Sequence, residues 1–300
     1  MRAVIQVDLD GLWTYRRYLN QEHITDRIDP VYSDGVKCFL DMFRRHSIKA
    51  TFFVIGSDAL IPEHAQIIKQ IAEEGHEVAN HTMSHPFNFS SLDEQIITEE
   101  IEKSHELLER ISGKIVRGFR APTFSIDERI LKILERLGYV YDSSVLPSFI
   151  ASLALNWAHS FLGGSLRNMA GSSMKFSSTP LTLYKPDKMN MAKRGQGKIY
   201  ELPISVVPGL RVPMHSTYVF ICGRRLFDWG LKKLQKKQMA LNYLFHGIDL
   251  LDTVKHDLKL PLFGSLGKRK SICEHIIRRL KSECELMNTL DLIEKDGWCA

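Results

Sequence analysis

The chain has no CxxC pair, no apolar stretch long enough to cross a bilayer, no low-complexity tract and no dense block of one charge. Each absence removes a class. The five cysteines (Cys38, Cys222, Cys273, Cys284, Cys299) are odd in number and widely scattered, which argues against a disulfide framework or a thiolate metal site. They are expected to be reduced and structural. A net charge of +5 is small and spread out, and no aromatic-basic signature of an RNA module accompanies it, so nucleic acid is not an expected partner. The N-terminus, Met1-Arg2-Ala3-Val4-Ile5-Gln6-Val7-Asp8, enters an apolar strand at once without the pattern of a signal peptide. A cytoplasmic protein is expected. What remains, in 300 residues that are 44% apolar and 25% charged, is an ordinary globular composition with room for one large domain or two smaller ones.

Strand-like runs lie at Arg2 to Val7, Ala50 to Ile55, His76 to Ala79, Val116 to Arg120, Tyr139 to Asp142, Glu201 to Val206 and Leu241 to Phe245. Helical patterns fall between several of them, at Asp34 to Arg45, Pro62 to Glu74, Leu92 to Ile111 and Asp127 to Leu137. Ser91 before Glu94 and Ser125 before Glu128 read as capping boxes, and Gly75, Gly113 and Gly138 as stops. Regular βα alternation predicts an α/β fold with parallel strands, either an open doubly wound sheet or a closed barrel. Periodicity does not separate the two.

From about 146 to 186 the pattern breaks, and this stretch reads as an insertion or cap. Its apolar part, 149–162, is too short to span a bilayer. It would cover the mouth of the fold or touch lipid or a lipid-linked substrate. The C-terminal third is helical and basic (Lys232, Lys233, Lys236, Lys237; Lys268, Arg269, Lys270; Arg278, Arg279). Such runs are usually solvated helix faces, with peripheral contact to an anionic membrane as the other reading.

The chemistry concentrates at two places. Asp8 and Asp10 end the first strand and share a face about 6 to 7 Å apart, at the edge where α/β folds gather their active sites. His81 and His85 stand four apart, so on one helical turn their imidazoles would share a side and an ion. The zincin pattern HExxH fails at His76-Glu77, because Asn80 occupies the place of its second histidine, and His76 reads as structural. Two histidines and a carboxylate leave coordination positions open, as a catalytic divalent ion requires.

In order along the chain, Asp10-Gly11, the His81/His85 pair, Arg120-Ala121-Pro122, Tyr141-Asp142-Ser143-Ser144 and Phe245-His246-Gly247 resemble the motifs of the polysaccharide deacetylase family, also called NodB-homology or carbohydrate esterase 4. The resemblance implies a single domain over 1–300 built as a distorted (β/α)7 barrel. It implies metal ligands Asp10, His81 and His85 on one divalent ion, most simply Zn2+. It further implies His246 as the catalytic acid, with His215 as its understudy, and Arg120 as the residue that orients the base. Pro122, Thr123 and Asp142 would bind substrate or support the site, the backbone N–H near Thr123 facing the oxyanion. Where the family commonly has two adjacent aspartates, Leu9 separates Asp8 from Asp10; this spacing resembles a branch acting on peptidoglycan and lipid-linked sugars, with Asp8 as the base.

The expected function is metal-dependent hydrolysis of an N-acyl group, N-acetyl in the first instance, from an amino sugar in a glycan, nucleotide sugar or lipid-linked precursor. The same site could act on a non-sugar amide or an O-acetyl ester. An Fe(II) oxygenase would use the same three ligands but normally sits on an all-β scaffold, and a non-catalytic carbohydrate-binding relative would not need the full set.

Overall fold

β1 (Arg2–Leu9) is buried along nearly its whole length, as expected of a central strand in a parallel sheet. Its alternate residues go to different worlds. Ala3, Ile5, Val7 and Leu9 pack outward into the main apolar core, whereas Gln6 and Asp8 join a buried polar network. One edge of β1 pairs with β7 (Leu241–His246), and the other with β2 (Thr51–Val54). Beyond β2 the sheet continues through β3 (Glu77–Asn80), β4 (Gly118–Phe119), β5 (Tyr141–Asp142) and β6 (Tyr200–Glu201), every pair parallel. The structure, a computed structural model, describes residues 1–19, 21, 28–151, 174–258 and 264–296.

The sheet curls until its ends approach. Ser205 N–H donates to Asn242 O at 3.1 Å, and Asn242 N–H donates to Ser205 Oγ at 2.9 Å, so the chain just past β6 reaches β7. This is a distorted barrel of seven parallel strands, which resolves the choice periodicity left open. All seven expected strands are present. The run expected at Glu201 to Val206 forms only two residues of strand, because the chain then leaves β5 to make the closing contacts with β7.

The outer layer consists of α2 (Lys37–His46), α3 (Pro62–Glu73), α4 (Glu94–Ser112) and α5 (Glu128–Arg136), with α1 (Leu12–Tyr18) lying over the mouth side. Their buried residues recur at helical spacing, as in Ile97, Ile101, Leu107 and Leu108 of α4. Gly113 ends α4 in the left-handed region at φ 64°, where a side chain would be strained. The expected capping boxes are not formed. Aspartates immediately before the helices take the N-cap positions instead. Asp127 accepts from Arg129 N at 2.9 Å and Ile130 N at 3.1 Å, while Asp93 caps α4 without a side-chain bond. Ser91 lies in a 3-10 turn and Ser125 accepts from Ser90 N.

The later chain adds α6 (Ser216–Cys222), α7 (Arg224–Lys236), α8 (Leu266–Glu283), β8 (Glu285–Leu286) and α9 (Thr289–Asp296). β8 pairs with Arg2 and Ala3 on the β2 side of β1, and Met287, Leu292 and Ile293 pack under the barrel with Val4, Phe53 and Ala79. This is the floor. Within it Glu77 accepts from Thr51 Oγ1 at 2.7 Å and Tyr141 Oη at 2.8 Å, and burial pushes its carboxyl up to about 7.

Of the expected insertion, 152–173 lies outside the described residues, including most of the apolar segment 149–162. Its flanks pack on the barrel wall, where Leu146, Ala151 and Leu181 meet Ile204, Val206 and Leu244. Among the described residues no helix is long and apolar enough to cross a membrane. Cys38, Cys222, Cys273 and Cys284 are free thiols; Cys299 is outside the described residues.

Candidate metal centre at the barrel mouth

Asp10 is the first residue past β1, and His81 the first past β3, so two candidate ligands come from strand ends at the C-terminal edge of the sheet. His85 does not share a helical turn with His81, as spacing had led one to expect. Both lie in the loop after β3, in which Thr82 (φ 66°) and His85 (φ 51°) adopt left-handed conformations. The loop folds back through those two residues, bringing the imidazoles to 5.0 Å between ring centroids.

The three side chains converge. His81 Nε2 is 3.3 Å and His85 Nε2 3.4 Å from the same oxygen, Asp10 Oδ1. All three residues are buried, and among the described residues Asp10 Oδ1 has no hydrogen-bond partner. A buried carboxylate oxygen without a donor is costly, and a cation held between it and the two imidazoles removes that cost. The donor chemistry fits a divalent ion of the zinc type. His81 is prepared for the role: its Nδ1–H donates to Arg120 O at 2.7 Å, which leaves the Nε2 lone pair facing the pocket. Electrostatics agree. Burial pushes the Asp10 carboxyl up, but His85 and His81 outweigh it and hold it well below the usual carboxylate range. Burial pushes His81 down, and Asp10 and Asp8 outweigh that to raise it. Both shifts say that the pocket favours positive charge.

Asp8 stands beside this triad, inside the barrel. Its Oδ1 accepts from Arg120 Nη1 at 2.5 Å. Arg120 is fully buried and saturated: Nε donates to Ser143 O at 2.8 Å, Nη2 to Ser143 Oγ at 2.9 Å and to Gln6 Oε1, and the guanidinium lies 4.1 Å over the Phe53 ring. Across the β1/β7 pair, Asp8 is in register with His246. The His246 ring sits with Nδ1 3.3 Å from Ser216 Oγ, and its backbone N–H donates to Asp249 Oδ2 at 2.9 Å. His215 is close, 5.9 Å between ring centroids, but burial, then His246 and Arg120, push it well below the ordinary histidine range. It is a neutral ring. His76 is far from these groups: it accepts from Ala50 N at 3.1 Å, and burial lowers it to about 4.

Pro122 and Thr123 form a tight turn after Arg120, with Thr123 at φ 53° and its Oγ1 donating to Phe87 O at 2.7 Å. Asp142 accepts from Ser144 Oγ at 2.5 Å, and Ser144 Oγ accepts in turn from Ala121 N at 2.8 Å. Asp142 therefore braces the Arg120 segment through Ser144. Opposite it in register, Glu201 is equally buried. Burial raises both carboxyls, Glu201 further because Asp142 lies beside it. Such a pair holds a proton.

Several residues at the site carried no signal in the sequence. Gly11 lets α1 start at once, because a Cβ there would lie 2.6 Å from Trp13 Cδ1. α1 then sets Trp13 and Tyr18 edge-on to His85, each 6.4 Å away by ring centroids. Trp13 Nε1–H donates to Asp58 Oδ1 at 2.8 Å, and burial, with Asp29 next, raises Asp58 to about 8. The Tyr15 hydroxyl is buried without a hydrogen-bond partner among the described residues. Helical aromatics two and three residues apart read as core; only their closeness to His85 distinguishes them.

Residues 19–141 match the family model described as polysaccharide deacetylase. A solved structure from Mycobacterium smegmatis, of a presumed polysaccharide deacetylase, aligns over 99% of this chain and 90% of its own with a TM-score of 0.67 at 19% identity, which is a likeness of fold. Over residues 19–141 the chain is similar to polysaccharide deacetylases. Among curated relatives, the peptidoglycan-N-acetylglucosamine deacetylase of Bacillus cereus is 40% identical over 93 residues, 31% of this chain and 33% of its own length. The peptidoglycan-N-acetylmuramic acid deacetylase of Bacillus subtilis is 34% identical over 101 residues, 33% of this chain and 37% of its own. A chitooligosaccharide deacetylase of Azorhizobium caulinodans is 35% identical over 99 residues, 33% of this chain and 46% of its own. The chain thus spans less than half the length of these relatives. The family match contains His81, His85 and Arg120 but stops short of Asp8, Asp10, Asp142 and His246; those join the site through the fold.

Proposed function

We propose that this protein is a deacetylase of the polysaccharide deacetylase type, a metal-dependent hydrolase that removes an N-acyl group, in the first instance N-acetyl, from an amino sugar. The observation that carries the reading is the convergence of Asp10, His81 and His85 on one orphaned oxygen, with the Asp8–Arg120 pair alongside. Zn2+ is the proposed ion. A divalent ion held by those three side chains supplies Lewis acidity toward the acyl carbonyl and makes a water more acidic.

The protein's own groups do the proton work. Asp8 accepts the proton of the attacking water, and Arg120 keeps its carboxylate aimed by the 2.5 Å bond. His246, one strand over, donates a proton to the departing nitrogen, its ring steadied at Nδ1 by Ser216. The turn at Pro122 and Thr123 offers a backbone N–H to the developing oxyanion. Asp142 acts at one remove, through Ser144.

The substrate proposed is an N-acylated sugar in a nucleotide sugar or lipid-linked precursor, which a cytoplasmic setting would supply, or in a glycan. A released-acid assay over a panel of N-acetylated nucleotide sugars and lipid-linked glycans, with and without chelator, tests this. Chelator-sensitive release of acetate is expected. No metal-dependent release from any of them would sink the hydrolase reading and favour a carbohydrate-binding role.

A further inference from the structure

We infer that Arg17 recognises an anion at the rim of the metal centre, and that the sugar bound there carries a phosphate ester. The inference rests on the proposed function for the place of the sugar. Arg17 is on the last turn of α1, a helix with no acidic residue. Its guanidinium carbon lies 4.3 Å over the Phe87 ring, which also stacks on Tyr18 at 4.3 Å and 16°. Phe87 is only 8% exposed. Both of these rings also touch the metal ligand His85, at 6.3 Å from Phe87 and 6.4 Å from Tyr18 by centroids. The cation is therefore one ring away from the triad.

Stacking uses the plane of a guanidinium and leaves its in-plane N–H donors unengaged. Arg17 is exposed and, among the described residues, makes no ion pair and no hydrogen bond. Its neighbours differ. Arg16 is buried and donates to His256 O at 2.7 Å, and Arg120 has every branch occupied. Arg17 is thus a cation fixed by an aromatic face, so binding an anion costs less rotamer freedom than at an ordinary surface arginine. Its donor fork matches phosphate oxygens in pairs, and in a sugar whose acylated nitrogen lies at the metal centre the phosphate would sit on the adjoining ring carbon. The same phosphate could come from a sugar phosphate, a nucleotide sugar or a lipid-linked sugar.

Calorimetric titration of metal-loaded wild type and Arg17→Gln with N-acetylglucosamine 1-phosphate and with N-acetylglucosamine tests the inference. The wild type is expected to bind the phosphorylated sugar at least about tenfold tighter, and Arg17→Gln to erase the difference while leaving the neutral sugar unchanged. An unchanged preference in Arg17→Gln, an equal loss for both sugars, or no binding of the phosphorylated sugar by wild type overturns it. N-acetylmuramic acid bound as tightly, with as large a loss in the variant, overturns the phosphate assignment in favour of a carboxylate. A uridine diphosphate sugar and a polyprenyl diphosphate sugar in detergent micelles separate the two carriers; the carrier Arg17 serves loses affinity in Arg17→Gln, and loss in neither overturns the role. Acetate release read in the same samples keeps the two ideas apart. A phosphate preference without release would sink hydrolysis and support Arg17 as an anion site.

Discussion

The two ends of the barrel both bury carboxyl groups, and they treat them in opposite ways. At the mouth Asp8 is bonded to Arg120, and Asp10 faces His81 and His85. At the floor Glu77 is hydrogen-bonded by the hydroxyls of Thr51 and Tyr141 and by the Leu290 backbone, and burial lifts it to about 7. A buried carboxylate stays charged only where a cation repays its desolvation. The mouth keeps charge available for chemistry, while the floor holds an acid that is half neutral at physiological pH.

The largest expected break in this contrast comes from the triad. His81→Ala should lose both the ion and hydrolysis, read as metal content after dialysis together with released acid; retained metal at wild-type stoichiometry would remove His81 from the ligand set. Asp8→Asn should keep the metal and slow release by about 10²- to 10⁴-fold. Full activity in that variant would unseat Asp8 as the base. Next in size is Arg120→Met, which strands Asp8 without its partner and should cost about 3 to 5 kcal/mol in denaturant unfolding. A smaller loss would mean that water takes over the arginine's bonds.

The floor should show itself through pH. The Glu77 carboxyl is raised in the fold, so the folded chain holds a proton that the unfolded chain releases from about pH 4.5 upward. The sign follows: stability present at low pH is lost as pH rises toward about 7, and Asp58, a raised carboxyl beside the mouth and not part of the floor, extends the decline to about 8. The loss from Glu77 is on the order of 3 kcal/mol. Glu77→Gln should flatten the curve of unfolding midpoint against pH between 5 and 7; an unaltered slope would place the proton elsewhere.

Much of the fold was legible because its causes are local. β1, β2 and β7 are buried on both faces and so read as apolar runs, and α4 and α5 show helical spacing of buried residues. The short strands β4, β5 and β6 were legible in place but not in length, since where a strand ends depends on the partner it leaves. Caps were misplaced because serine three residues before glutamate competes with an aspartate one residue before the helix, and at Asp127 the aspartate makes the bonds. At the site, the strand-end residues Asp8 and Asp10 and the His81/His85 pair were readable from spacing, and Arg120 and His246 from motif order. Trp13, Asp58 and Glu201 were not, because their importance lies in contacts between distant segments, such as the 45 residues separating Trp13 from Asp58.

The floor also sets the order of assembly. Asp8, Asp10, His81, His85, Arg120 and His246 have all been made by the time Asp249 is added, yet on its β2 side the bottom of β1 acquires its neighbour only when Glu285 N–H reaches Met1 O and Met287 N–H reaches Ala3 O. Contacts across that much chain carry a loop-closure cost and form slowly. A growing chain would therefore hold a shaped catalytic rim above an unplugged apolar base, exposing Val4 and Phe53 until the last helix arrives. Chaperone dependence during synthesis is where that delay would be felt.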